Sequence, residues 1–251
     1  MPDDIRIRHN SSDAELDRRS EFLRLFRASP IPDAELLANL GLYTSRQTLS
    51  RVLFMHEMYR LALPVHGIVA EFGVRWGQNL ALFAAFRGMY EPFNYTRRIV
   101  GFDTFSGFPS VDPKDGAHAV VEPGAYAVTE GYEEHLRQVL AYHESESPLA
   151  HLTKYELVKG DATVTVPGYL ADHPETIIAL AYLDFDLYEP TRVVLEAIRP
   201  HITRGTVIGF DELNFPDFPG ETLALREVFG LDRYRIVRSP LSPTTSYLVV
   251  D

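Results

Sequence analysis

The sequence predicts an α/β fold with a Rossmann-like, mostly parallel sheet that is flanked by helices and ends in a C-terminal antiparallel hairpin. Two observations indicate this class. From residue 67 onward, short apolar runs alternate with amphipathic helical segments. Four of these runs border acidic residues, which in parallel sheets face the ligand crevice. We divide the chain into an N-terminal helical extension, residues 1–64, and a catalytic domain, residues 65–251.

Composition limits the classes of partner. The 251 residues are 45% hydrophobic, enough to bury the core of one α/β domain. The formal net charge of −11 disfavours nucleic acids and anionic lipid surfaces. The absence of cysteine excludes disulfides and thiolate chemistry. With no apolar run of membrane-spanning length, we expect a cytoplasmic protein.

The extension carries apolar residues at helical spacing. This pattern predicts three helices, over residues 13–27, 32–40 and 45–61. These helices could cap one edge of the sheet or form a dimer contact, and we expect a homo-oligomer.

The remaining elements follow in order along the domain. Strands are predicted where β-branched and apolar residues cluster, helices where the period is 3.6, and a lid or mobile loop over residues 106–130, where neither pattern holds. The predicted strands cover residues 67–72, 98–102, 155–159, 177–184 and 206–210, and the hairpin joins 234–238 to 246–250. The predicted helices cover residues 78–87 and 133–142, with a further helix between the strands 177–184 and 206–210 that has Pro190 in its first turn and Pro200 near its end.

The first strand ends in a turn that suits a small-molecule cofactor. Gly73 and Gly77, four residues apart, allow a tight turn and close approach of a ligand to the backbone. A dinucleotide fingerprint would need a third glycine, and Glu71 would repel a phosphate. Glu71, Gly73, Arg75 and Gly77 are therefore predicted to bind a ligand that carries a positive charge or hydrogen-bond donors, although an ordinary strand-to-helix turn would give the same pattern.

Carboxylates also end the next two strands. Asp103 is placed to accept hydrogen bonds from both ribose hydroxyls, with Thr104 and Phe105 beside it. Asp161, with Ala162, is placed to meet an adenine amino group, although Gly-Asp is also common in turns. Three carboxylates without a phosphate-binding loop favour S-adenosylmethionine, which has a sulfonium, an amino group and a ribose but no phosphate.

A second group of acidic residues predicts a metal site. Asp184 and Asp186 lie two residues apart, so on a strand both would face one side about 6.6 Å apart. Asp184 is also expected to contact the cofactor. Two like charges so placed need a cation or a raised pKa. Asp211 and Glu212 end a neighbouring apolar run and add oxygen ligands of the kind that Mg²⁺ prefers.

Methyl transfer to an oxygen requires removal of the hydroxyl proton. A divalent ion lowers that barrier, and either Asp184 or Asp186 could then accept the proton. Of the histidines, His118 in the long loop is the alternative base that we retain.

Three motifs together resemble the macrocin O-methyltransferase (TylF-like) family. They are Glu71–Val74, Gly101–Pro109 and Leu183–Thr191. The resemblance covers roughly residues 65–250. It implies a class I methyltransferase fold, S-adenosylmethionine and Mg²⁺ as cofactors, and a sugar hydroxyl as acceptor in natural-product biosynthesis. More narrowly, the chain resembles a deoxysugar O-methyltransferase of a calicheamicin-type enediyne pathway that acts on a nucleotide-linked, rhamnose-like sugar.

The resemblance also assigns roles to residues. It implies that Asp184, Asp211 and Glu212 bind the metal and that Asp184 or Asp186 is the base. Two positions depart from the family pattern. Glu212 stands where the family usually has an aspartate, and its side chain reaches one methylene further. Phe185 stands where the family tends to have glycine, and we expect it to narrow the part of the site that receives the acceptor.

Three other functions remain open. The same metal site would suit the adjacent oxygens of a catechol or the oxygen of another phenol. An NAD-dependent oxidoreductase is disfavoured by the missing third glycine. A methyltransferase-like partner subunit would bind the cofactor without forming product.

Overall fold

The computed structural model describes residues 11–251, which contain a seven-stranded sheet. The strands are β1 (Ile68–Phe72), β2 (Ile99–Asp103), β3 (Tyr155–Lys159), β4 (Ile178–Leu183), β5 (Ile202–Phe210), β6 (Val237–Arg238) and β7 (Ser246–Val249). Their order is β3-β2-β1-β4-β5-β7-β6, with β1 to β5 parallel and β7 antiparallel to both β5 and β6. The predicted α/β class, with its C-terminal antiparallel hairpin, is confirmed.

Eight α-helices lie within residues 11–251, and the last six of them cover the two faces of the sheet. The eight helices are α1 (Asp13–Arg27), α2 (Asp33–Leu36), α3 (Arg46–Ala62), α4 (Gln78–Tyr90), α5 (Tyr132–Ser145), α6 (Ala162–Asp172), α7 (Tyr188–Ile198) and α8 (Gly220–Val228). Side chains of α3, α4 and α5 form one apolar cluster on the sheet, which includes Met58 and Phe83. Those of α6, α7 and α8 form a second cluster, which includes Val194 and Leu225. Each such buried apolar side chain contributes about 1.5–3 kcal/mol through its removal from water.

Alternation along β1 decides which side chains reach which layer. Val69 belongs to the α3/α4/α5 cluster, whereas Ala70 and Phe72 belong to the other. Because successive strand residues point to opposite faces, Glu71 faces α4. The predicted acidic residue at the end of β1 therefore lies inside a helical layer.

The helices of the extension differ in how far they are buried. Helix α1 has no buried residue, and the predicted helix 32–40 is a single α turn, α2, that continues as a 3₁₀ helix over Leu37–Tyr43. Helix α3, in contrast, buries Phe54, Met55 and Met58 against the sheet. Residues 1–10 of the predicted extension lie outside the described residues, and the boundary at residue 64 stays a prediction.

The sequence analysis did not predict α6 and α8. Helix α6 contains Pro167 and several β-branched residues, all of which lower helix propensity. Helix α8 has only nine residues and begins at Gly220, directly after a proline. Both helices owe their stability to packing on the sheet rather than to local pattern.

The long segment 106–130 contains a single 3₁₀ turn, Pro113–Asp115. Phe108 N donates to Ala125 O and Gly124 N donates to Phe108 O, which closes the segment on itself. Asp115 accepts a hydrogen bond from the backbone N–H of Tyr188 at the start of α7. The segment is thus fixed to the edge of the sheet that carries the site, and its predicted role as a lid stays a prediction.

Among residues 11–251, every helix is too short or too polar to span a bilayer.

Candidate active site

A cavity of about 340 Å³ opens where the order of strands reverses. From β1 the chain continues outward through β2 and β3, and it then returns to place β4 on the other side of β1. Ligands of open α/β sheets bind outside the carboxyl ends of strands at such a point. The residues that follow β1, β2, β4 and β5 all contribute to the wall of the cavity.

The turn after β1 requires glycine for a specific reason. Gly73 has φ +91°, and a Cβ there would lie 2.0 Å from the carbonyl oxygen of Asp184, which follows β4. Gly77 has φ +74°, and its Cβ would lie 2.4 Å from Leu136 of α5. Arg75 also adopts a positive φ of 49°. Gly73, Arg75 and Gly77 all line the cavity, as the sequence suggested.

Glu71 lies behind this wall. It is 1% exposed, does not line the cavity, and accepts a hydrogen bond from Asn79 Nδ2 at 2.8 Å. Burial raises the pKa of Glu71 well above its usual value, with Asn79 opposing the shift. Asn79, at the start of α4, does line the cavity. A role of Glu71 toward a cofactor would therefore act through Asn79, which the sequence analysis missed.

Asp103 supports the turn after β1. Its Oδ2 accepts hydrogen bonds from the backbone N–H groups of Val74 (2.7 Å) and Arg75 (2.8 Å), and its Oδ1 accepts from the N–H of Phe105. A carboxylate offers about four lone-pair sites, so at least one remains for a ribose hydroxyl. Asp103 and Thr104 line the cavity, whereas Phe105 is buried beside it and does not. The ribose role stays a prediction.

Asp161 serves as the N-cap of α6. Its Oδ1 accepts from Thr163 N at 2.9 Å and from Thr163 Oγ1 at 2.7 Å. Asp161 and Ala162 both line the cavity beyond Asp103. The structure thus gives Asp161 a capping role, and its predicted contact with adenine stays a prediction.

An acidic cluster forms another part of the cavity wall. Asp184, Asp186 and Glu212 each offer a carboxylate oxygen, and these oxygens lie within 4.8 Å of one another. Asp186 has φ +62°, because the chain turns sharply between β4 and α7. Burial, followed by the charges of neighbouring carboxylates, raises the pKa of Asp184 and of Glu212 well above their usual values. Burial also raises the pKa of Asp186.

Asp211 has different partners from those that the metal prediction requires. Arg51 of α3 donates to Asp211 at 2.9 Å and to Asp184 at 3.3 Å. The Tyr182 hydroxyl, beneath them in β4, also donates to Asp211. The cluster that can hold an ion therefore contains Asp184, Asp186 and Glu212, whereas the predicted set was Asp184, Asp211 and Glu212. Asp211 as a ligand stays a prediction.

Three further residues of the site were not predicted. Arg51 lies on a helix of the extension, and Glu221 lies on α8, with its carboxylate accepting from the backbone N–H groups of Phe185 and Glu212. Tyr126, from the long segment, lines the cavity with the Arg75 guanidinium 4.7 Å from its ring centre. No motif marks these residues, since each reaches the site through tertiary packing.

His118, the alternative base, does not line the cavity. Its ring lies beside Phe218, with 5.4 Å between the ring centres.

Buried polar atoms without partners fit the predicted ligands. Within residues 11–251, Glu71 Oε2 and Asn79 Oδ1 are buried acceptors without a hydrogen-bond partner, and a ligand amino group in the cavity could donate to Asn79 Oδ1. Glu212 Oε2 is a third such acceptor, in the acidic cluster. Its setting of several carboxylates with raised pKa values fits a divalent cation.

Two solved structures described as CalS11 resemble the whole chain. The calicheamicin methyltransferase CalS11 has 46% sequence identity and a TM-score of 0.93, over 98% of this chain and 96% of that chain. An apo structure described as CalS11, TDP-rhamnose 3′-O-methyltransferase, has 44% identity and a TM-score of 0.84, over 96% of each chain.

More distant comparison supports the fold alone. The O-methyltransferase NovP has 20% identity and a TM-score of 0.61, over 80% of each chain. No protein-family model matches the chain, and no curated protein matches it. The resemblance drawn from the motifs is confirmed by the CalS11 structures. At this identity and coverage, the chain belongs to the O-methyltransferase family that includes CalS11.

Proposed function

We propose that the chain transfers a methyl group from S-adenosylmethionine to a hydroxyl of a nucleotide-linked deoxysugar of the rhamnose type, in natural-product biosynthesis. The observation that carries this proposal is the 44% identity, over 96% of each chain, to a structure described as a TDP-rhamnose 3′-O-methyltransferase. The cavity supports it, because the turn after β1 and the acidic cluster line the same opening.

The cofactor would lie along the carboxyl ends of β1 and β2. Gly73 lets the turn pack directly against the Asp184 backbone, and Asn79 Oδ1 offers an acceptor to an amino group. Asp103 retains acceptor capacity for a ribose hydroxyl. Tyr126 would cover the cavity from the long segment and limit access of water.

The acidic cluster would hold Mg²⁺ or another divalent ion through Asp184, Asp186 and Glu212. When bound, such an ion supplies positive charge that lowers the pKa of an acceptor hydroxyl. Glu221 orients the cluster by accepting the N–H of Glu212.

Asp184 or Asp186 would take the proton from the acceptor hydroxyl. Burial raises the pKa of both carboxyls. A bound cation would lower these pKa values again, so the base would be whichever of the two carboxylates does not ligate the ion or ligates it more weakly. S-adenosylmethionine would supply the methyl group, and the acidic cluster would hold the acceptor hydroxyl and take its proton.

A panel of acceptors tests this function. The purified chain is incubated with S-adenosylmethionine, Mg²⁺ and either TDP-rhamnose, a free deoxysugar or a catechol, and products are detected by mass spectrometry. We expect an added methyl group on TDP-rhamnose. Turnover on the catechol alone would contradict the proposal and favour the phenol alternative.

A further inference from the structure

A second cavity, of about 400 Å³, adjoins the site. It lies between the N-terminal end of α3 and the segment 241–245, which leads into β7. Arg51 lines both cavities, so its guanidinium stands between the acidic cluster and the second opening. A molecule that extends from the acidic cluster past Arg51 would enter this space.

The lining of the second cavity is basic. It contains Arg46 and Arg51 and no carboxylate, in a chain whose net charge is −11. Arg51 is paired with Asp184 and Asp211. Arg46 forms no ion pair with a carboxylate within residues 11–251, so its charge is available to a ligand. The charge that lines the second cavity is therefore opposite in sign to the charge of the acidic cluster beside it.

Hydrogen-bond donors accompany the charge. Thr245 is 7% exposed, and its Oγ1 is buried without a partner among the described residues. A buried hydroxyl without a partner carries a free-energy penalty that a ligand oxygen would remove. Arg46 and Gln47 open a helix of 17 residues, and the first backbone N–H groups of a helix have no acceptor within it. Helix N-termini of this kind bind phosphate groups.

We propose that this second cavity binds the diphosphate of a nucleotide-linked sugar while the sugar hydroxyl occupies the acidic cluster. Arg46 and Thr245 bind phosphate oxygens, and Arg51 separates the diphosphate from the carboxylates that it already neutralises. This inference rests on the proposed function and names the part of the acceptor that sets specificity. It predicts that the chain distinguishes a nucleotide-linked sugar from the same sugar without phosphate.

Binding of TDP, measured by calorimetry, tests the site without turnover. The Arg46→Met variant should bind TDP about tenfold or more weakly than the original chain, because a charged hydrogen bond is lost. The Thr245→Val variant should also bind TDP more weakly, and without a lower melting temperature, since the hydroxyl has no partner to lose. A purely structural Thr245 would instead lower the melting temperature.

The matched control is Arg60→Met, which removes the same charge from an exposed position near the other end of α3 and outside the cavity. Its TDP affinity should equal that of the original chain. An equal loss of TDP affinity in the Arg46 and Arg60 variants, or no loss of TDP affinity in either variant, would overturn the site.

Kinetics separate this inference from the proposed function. If TDP-rhamnose is methylated, Arg46→Met should raise the KM for TDP-rhamnose. This increase should be about tenfold or more larger than any change in the KM for S-adenosylmethionine. Methylation with an unchanged KM for TDP-rhamnose would overturn the diphosphate site and leave the function standing. Arg46-dependent binding of TDP without methylation of any sugar would support the site and refute the function.

Discussion

At the scale of single residues, the site depends on carboxylates with unlike surroundings. Asp184 is half-buried beside other acidic groups, and its pKa is raised. Asp103 instead accepts hydrogen bonds from three backbone N–H groups. Asp184 is therefore suited to proton transfer or to a cation, and Asp103 to holding the cofactor turn in shape.

Asp184→Asn should reduce methyl transfer by about 10²-fold to 10⁴-fold, because the amide can neither accept the proton nor bind a cation as well. Affinity for S-adenosylhomocysteine should stay within about threefold of the original, because the change leaves the cofactor turn intact. Such a difference is smaller than the 1.4 kcal/mol that corresponds to a tenfold change in affinity. Single-turnover rates and calorimetry check the two effects. Retained turnover with a large loss of cofactor affinity would refute the assignment.

Asp103→Ala should lower the free energy of unfolding by about 1–3 kcal/mol, since three backbone donors lose their acceptor. It should also weaken the binding of S-adenosylhomocysteine, both through the ribose and through the loosened turn. Urea unfolding and calorimetry measure these changes. Unchanged stability would mean that water replaces Asp103 at no cost, and unchanged affinity would exclude the ribose role.

At the scale of elements, the ends of the strands set the chemistry and the helices complete it. The sequence analysis found Gly73, Asp103, Asp184 and Glu212 because each follows an apolar run, and runs of this kind predict strands whose carboxyl ends meet. It could not find Arg51, whose partner Asp184 is 133 positions away. Such contacts depend on how α3 packs, and hydrophobic pattern does not encode that packing.

The sequence analysis also failed to predict the direction in which the Glu71 side chain points. Glu71 lies one residue before the end of β1 and was predicted to meet the cofactor, yet alternation along the strand points it into the layer of α4, where Asn79 donates to it. Helix α8 went unpredicted, and with it Glu221, because a segment of nine residues carries too little periodicity to be recognised.

Glu71 gives a prediction about pH. Burial raises its folded-state pKa above its unfolded value near 4.5. Its contribution to stability is therefore fully present below pH 4.5 and is lost as the pH rises through the folded-state pKa. The free energy of unfolding of Glu71→Gln, measured without cofactor from pH 5 to pH 8, should fall less steeply than that of the original chain.

The matched comparison cancels the other buried carboxyls, which are present in both proteins. An equally steep fall in the two proteins would mean that Glu71 does not titrate in the folded state in this range.

At the scale of the whole molecule, the sheet domain is fully packed, but part of the extension is not. Helix α1 has no buried residue, and the segment after it exposes apolar side chains, Leu37 at 76% and Leu42 at 65%. A helix of 15 residues is marginal in water without packing. We therefore retain the expectation of a homo-oligomer in which these residues are covered.

Light scattering after size exclusion tests this expectation. The original chain should have at least twice the mass of 28.4 kDa that its sequence gives. The double variant Leu37→Glu and Leu42→Glu should shift toward the monomer, because charges at a buried apolar contact are costly. Exchange of the exposed Val164 on α6 for glutamate is the control, and a monomeric original chain would refute the expectation.

The central claim is that methyl transfer to the sugar depends on a divalent ion at Asp184, Asp186 and Glu212. The most direct measurement is the rate of TDP-rhamnose methylation in metal-stripped protein as Mg²⁺ is added back. We expect no turnover in the presence of chelator and saturable recovery of turnover as Mg²⁺ is added. The Asp186→Asn variant should need a higher Mg²⁺ concentration than the original chain for the same recovery. Full turnover in excess chelator would contradict it.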